Sequence, residues 1–149
     1  MLLDSPKTKA VVEIIKEKIA LGEEYFLTVT SGSMRPFLNS GDRILVKGCS
    51  PQSLSRGDII IYEADYSLYA HRFLYKQLRN KGTWLVAKGD YSRSIDKPFS
   101  AEFLLGRVIV IKKKQQRINL ENRRWQIINW ALAALSLAEG LVFKTIKRT

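Results

Sequence analysis

Between Tyr25 and Ile111 the chain breaks into short apolar runs, each closed by a turn signal. "YFLTVT", "RILV", "DIIIY", "GTWLVAKGD" and "LLGRVIVIKKK" are rich in β-branched and aromatic residues, and Gly41-Asp42, Arg56-Gly57, Gly82 and Gly89-Asp90 separate them. Runs this short and this frequent suit strands of a compact β core rather than helices. Gly106 inside its run marks a bulge. "SLYAHRFLYKQL" is readable as strand or helix, and its aromatics favour strand.

The flanks differ. Val11, Ile14, Ile15 and Ile19 recur near a 3.6-residue period, which predicts a helix from Pro6 to Leu21, opened at Ser5-Pro6 and stopped at Gly22. It either packs on the domain edge or lies on a membrane surface. At the other end, "KKKQQRINLENRR" reads as a solvated basic stretch. Residues 125–143 then form an apolar segment bounded by Arg124 and Lys144, spanning about 28 Å as a helix. Gln126, Asn129 and Glu139 oppose a membrane span. Spanning, lying on a membrane, and docking on the domain or a partner all stay open. The expected architecture is mainly β, with a short N-terminal helix and a C-terminal apolar helix. The boundaries are residues 1–22 for the amphipathic helix, 23–112 for the core, and 113–149 for the basic linker and apolar helix.

Composition narrows the chemistry. The single cysteine, Cys49, forms no internal disulfide, and the single histidine, His71, leaves no zinc site of the usual kind. No metal and no cofactor is expected. The net charge is +11, and from Arg107 onward ten basic and two acidic residues contribute +8 of it. That tail favours anionic surfaces. Because the charge gathers beside the apolar segment, it argues for a membrane surface at residues 125–143 more than for nucleic acid, which is not expected as a partner. The N-terminus is charged throughout, with no export signal, so the core is expected on the cytoplasmic side, free or membrane-associated.

"SGSMRP", residues 31–36, breaks an apolar run with two serines around a glycine, then methionine and proline. A serine hydroxyl becomes a nucleophile only when a base takes its proton, and His71 is the one histidine available. Asp90 and Asp96 are the candidate carboxylates to fix its tautomer. Gly32 permits unusual backbone angles and close approach of a peptide, Met34 offers an adaptable apolar wall, and the Ser33 N–H suits an oxyanion donor. Ser31 is the competing hydroxyl. Lys47, Lys76 and Lys88 are alternative bases, each more simply read as a solvated surface lysine.

Taken in order, "SGSMRP", "GDRILV", "RGDIIIY", "HRF", "KGD", Asp96 and "LGRVIVI" resemble a signal peptidase I-type serine protease, from about Thr28 to Ile111. In one branch of that family a lysine beside an arginine is the base. In the endoplasmic-reticulum, archaeal and sporulation-associated branch a histidine takes its place. His71-Arg72 resembles the histidine branch. The resemblance implies Ser33 as nucleophile, His71 as general base, Asp96 as its orienting carboxylate with Asp90 in support, and Gly32 and Met34 beside the substrate. It also implies a precursor polypeptide cut after small residues. Members of this branch carry an N-terminal anchor before the serine box, whereas here the apolar segment is C-terminal, so general signal peptide cleavage and maturation of a particular precursor both stay open. Two other readings compete. One is a non-catalytic membrane- or partner-binding module on the same fold. The other is a self-cleaving repressor-like domain, which uses lysine as base.

Overall fold

The computed structural model describes residues 6–147, with side chains described from Lys9 onward. Helix α1 runs Pro6–Ala20, and the expected opening residue Ser5 lies outside the described residues. Eight strands follow: β1 Tyr25–Thr28, β2 Arg43–Lys47, β3 Ile59–Ala64, β4 Ser67–Arg79, β5 Gly82–Lys88, β6 Phe99–Ser100, β7 Leu104–Lys113 and β8 Gln116–Asn119. Helix α2, Arg123–Ile146, follows β8. All strand pairs are antiparallel, in the order β1-β2-β7-β3-β4-β5-β6, with β8 added to β7. The mainly β architecture with two flanking helices is the one the turn-punctuated sequence implies.

Burial on both faces explains the unbroken apolar run in β3. Ile59 and Ile61 enter the larger core with Ile44, Val46, Leu68 and Ile111. Ile60 and Tyr62 point the other way, into a second core with Phe73, Leu85 and Ala87. A strand covered on both sides loses the polar alternation of a half-exposed one. The ambiguous "SLYAHRFLYKQL" is strand β4, paired with β3 from Ile59↔Arg72 to Ala64↔Ser67 through a hairpin at Asp65 and Tyr66, both at positive φ. Gly106 does mark an irregularity: the β3–β7 register passes from Ile61↔Gly106 to Tyr62↔Leu104, skipping Leu105. A Cβ on Gly106 would lie 2.5 Å from the Lys47 carbonyl oxygen.

Three expectations are corrected. Residues 113–122 are not a plain linker, because β8 forms a hairpin with β7 and buries Ile118 and Leu120. Two apolar residues spaced by two among charges gave too weak a strand signal. In α1, Val12 and Ile15 are the buried residues, packed on the larger core, while Ile14 is exposed. Lys88 is no surface lysine. It is fully buried, its Nζ 3.0 Å from Glu139 of α2, a contact 51 residues distant in sequence.

Helix α2 docks through one stripe. Asn129, Ala133, Ser136 and Gly140 are its buried residues, spaced to fall on one side of a helix. Gly57 lets the backbone approach, since a Cβ there would meet the Asn129 carbonyl at 2.4 Å. Gly57 has φ +101 and Gly82 has φ +116, but around Gly82 there is open space. Gly82→Ala should therefore cost about 1 kcal/mol of backbone strain. Gly57→Ala should cost clearly more, because α2 must also move. Urea unfolding midpoints compare the two, and equal losses would mean that α2 is not held against Gly57.

Candidate active site

Four segments converge. The Ser33 loop follows β1, His71 and Arg72 sit mid-β4, Gly89 and Asp90 follow β5, and Asp96 lies on the stretch leading to β6. Adjacent residues of a strand point to opposite faces, so β4 sends His71 and Arg72 to different surroundings.

His71 faces the second core, between aromatic rings. Its ring centroid lies 6.1 Å from that of Tyr62 and 5.7 Å from that of Tyr69, both edge-on. Its Nδ1–H donates to Asp96 Oδ2 at 2.6 Å, in the short range of a charge-assisted bond. The Asp96 backbone N–H donates to the Ala87 carbonyl at 3.0 Å, which fixes the carboxylate beside β5. The other ring nitrogen, Nε2, is buried and has no hydrogen-bond partner among the described residues. A histidine held at Nδ1 by a carboxylate carries its free lone pair on Nε2.

Gly89 lies where that lone pair and the serine loop meet. A Cβ on Gly89 would lie 3.1 Å from His71 Nε2 and 2.7 Å from the Ser33 carbonyl oxygen. Only a residue without a side chain lets these two come together. The Ser33 carbonyl accepts the Tyr91 N–H at 2.9 Å, binding the loop to the segment after β5. Ser33 is half-buried, with its Oγ 3.4 Å from Ser31 Oγ rather than bonded to Nε2. Resting sites often show such loose nucleophile–base geometry.

Arg72 faces the other way and is fully buried. Its guanidinium grips Asp90 with two bonds, Nε to Oδ1 at 2.8 Å and Nη2 to Oδ2 at 2.6 Å. Nη1 donates to the Gly57 carbonyl at 3.0 Å and to Asn129 Oδ1 at 2.9 Å, and Phe37 stacks against it at 5.0 Å. The two aspartates, inseparable in the sequence, thus have different partners: Asp96 holds the histidine and Asp90 holds the arginine.

One of the two expected substrate contacts sits otherwise. Met34 is not an open wall. It is 2% exposed, and its sulfur accepts the Asp90 N–H at 3.4 Å, so it anchors the loop from inside. Gly32 does not adopt a positive φ, and a Cβ there would lie 2.7 Å from Arg35 Nε, the end of a flexible side chain. Lys47 and Lys76 are exposed, and Lys88 is ion-paired to Glu139.

Sequence reading missed Tyr62. Its hydroxyl donates to Asp96 Oδ2 at 2.9 Å and lies 3.3 Å from His71 Nδ1. Burial, then the Asp96 charge, pushes its pKa far above the ordinary phenol value, so it stays a donor. The signal was the β3–β4 register, Ile60↔His71 and Tyr62↔Tyr69, which puts Tyr62 on the face of His71. A single sequence does not reveal that pairing.

The β fold thus brings a serine loop, a carboxylate-held histidine and a buried arginine–aspartate pair to one place. Residues 4–109 match the model of the family described as Peptidase S24-like, and the chain belongs to that family. Among curated proteins, no sequence matches this chain. The family segment takes in Ser33, His71, Asp90 and Asp96, and ends before α2.

Cys49 is not a rival nucleophile. Burial pushes its thiol up to about 11, with Arg107 lowering it only in part and Asp58 raising it. At mildly alkaline pH its thiolate fraction should be about 100-fold below that of an ordinary thiol. Iodoacetamide should therefore label native Cys49 far more slowly than urea-unfolded protein. Equal rates would contradict this burial.

Proposed function

We propose that the protein is a serine endopeptidase of the histidine-base, signal peptidase I-like kind, acting on a precursor or leader peptide. The observation that carries this reading is His71, bonded at Nδ1 to Asp96, with its unpartnered Nε2 beside Gly89, where the Ser33 backbone also comes close. His71 Nε2 takes the Ser33 Oγ proton as Oγ attacks the scissile carbonyl. Asp96 stabilises the imidazolium so formed, and Tyr62 holds the same carboxylate oxygen. The Ser33 N–H donates to the oxyanion. His71 then gives its proton to the leaving amine. A water deprotonated by His71 hydrolyses the acyl-enzyme and restores Ser33. Asp90 and Arg72 position the loop from behind and do not touch the reacting atoms.

The S24-like frame also suits a self-cleaving repressor-like domain, but there the base is a lysine. Here the three lysines weighed for that task are exposed or held by Glu139, which favours histidine chemistry. A non-catalytic module has no use for an Asp96–His71–Tyr62 cluster beside a serine loop.

Ser33→Ala and His71→Ala should each lower kcat by about 10⁴-fold or more, with unchanged folding. Asp96→Asn should cost about 10²- to 10⁴-fold. Mass spectrometry of protein N-termini in cells carrying wild type or Ser33→Ala identifies the substrates. One or a few termini following small residues should vanish in the variant. If every terminus persists although the protein is expressed and required, the peptidase reading fails.

Tyr62→Phe keeps the ring and removes one hydrogen bond to Asp96. It should lower kcat about tenfold and leave KM in place. An unchanged kcat would mean that Asp96 needs no second donor.

A further inference from the structure

Helix α2 is docked along one side and bare along the other. Ile127, Trp130, Leu135, Leu141, Val142 and Ile146 are each more than half exposed. By length and composition the helix could cross a membrane. Its docked side opposes that. Asn129 completes the shell of buried Arg72, and Glu139 is the partner of buried Lys88. A helix leaving the domain to span would take the Asn129 acceptor from Arg72 and the Glu139 carboxylate from Lys88, and would uncover the apolar stripe it packs on.

We propose that α2 lies in the plane of an anionic lipid bilayer, with its bare side among the acyl chains and its basic ends at the headgroups. The charges on the helix select this occupant. Glu139 is its only acidic residue, and Lys88 neutralises it from the domain side. The other charges are Arg123 and Arg124 at one end and Lys144 at the other. Basic residues flanking an apolar face suit anionic headgroups. A second copy fits poorly, because both helix ends are basic. Whether two such helices pair parallel or antiparallel, cation meets cation. Trp130, on the bare face, is of the type that settles at a membrane interface.

The same surface reaches the serine loop. Leu135 belongs to the bare face and also, with Leu132, walls a cavity of about 480 Å³ closed on its other side by Pro36 and Phe37. A bilayer on α2 would therefore lie beside the loop that carries Ser33.

The test is flotation of the full-length protein with phosphatidylcholine vesicles, with and without phosphatidylglycerol. Binding should need phosphatidylglycerol and weaken as salt rises. The double variant Ile127→Ser/Val142→Ser, on the bare side and away from the cavity walls, should melt like wild type and bind about tenfold more weakly. Trp fluorescence should shift to the blue on binding, and the shift should shrink in Trp130→Phe. Protein that stays unbound overturns the proposal, as does a double variant that binds equally. In a Cys49→Ser background, Arg124→Cys and Lys144→Cys should both react with an impermeant maleimide from outside the vesicle. An end protected until lysis would mean a span. A lipid-free dimer abolished by the double variant would assign the face to a second copy.

Discussion

The buried guanidinium of Arg72 is the constraint on which the site depends. A charge with no exposure is tolerated only when its donors are matched. Arg72 finds Asp90 after β5, the Gly57 carbonyl before β3 and Asn129 on α2. Each partner is thereby fixed to β4. Asp90 also donates its N–H to Met34, and its neighbour Tyr91 bonds the Ser33 carbonyl. The serine loop is thus held by the same carboxylate segment that neutralises the arginine. Breaking such a buried pair on one side costs about 3–5 kcal/mol, so this anchor is firm enough to set the position of a nucleophile.

Two neighbours on one strand divide the work. The pleat of β4 turns His71 toward aromatics, Asp96 and Gly89, and turns Arg72 toward α2. A single-residue slip of β4 would exchange them. The register with β3 prevents it, since Leu68 and Ala70 must reach the larger core while Phe73 reaches the second. Core packing therefore selects which side chain meets the serine. Helix α2 follows from the same choice. It covers Arg72, Leu74, Val86 and Lys88, and is a structural part of the domain rather than an appendage.

Much of this was legible in the residues. Turn glycines and β-rich runs gave the β core, and the sheet order came from the structure. The serine box, the lone histidine and the two aspartates gave the candidate site. The weak points were β8, hidden by charged neighbours, and Lys88, whose partner lies in another element. Tyr62 was missed because its partnership exists only across a strand pair, and Met34 was misplaced because sequence does not say which side of a loop faces inward.

The sequence by itself determined the turn-punctuated β core, which groups could do acid–base chemistry, and that the C-terminal segment would be an apolar helix. Those properties are local: backbone preference, turn geometry and side-chain chemistry travel with the residue. Tertiary structure alone decided that Asp96 holds the histidine while Asp90 holds the arginine. It also decided that a lysine would be buried and that α2 would dock by its small and polar side. These outcomes depend on long-range pairing, where a buried charge must find a partner from elsewhere in the chain, and only the packed sheet determines which partner is within reach.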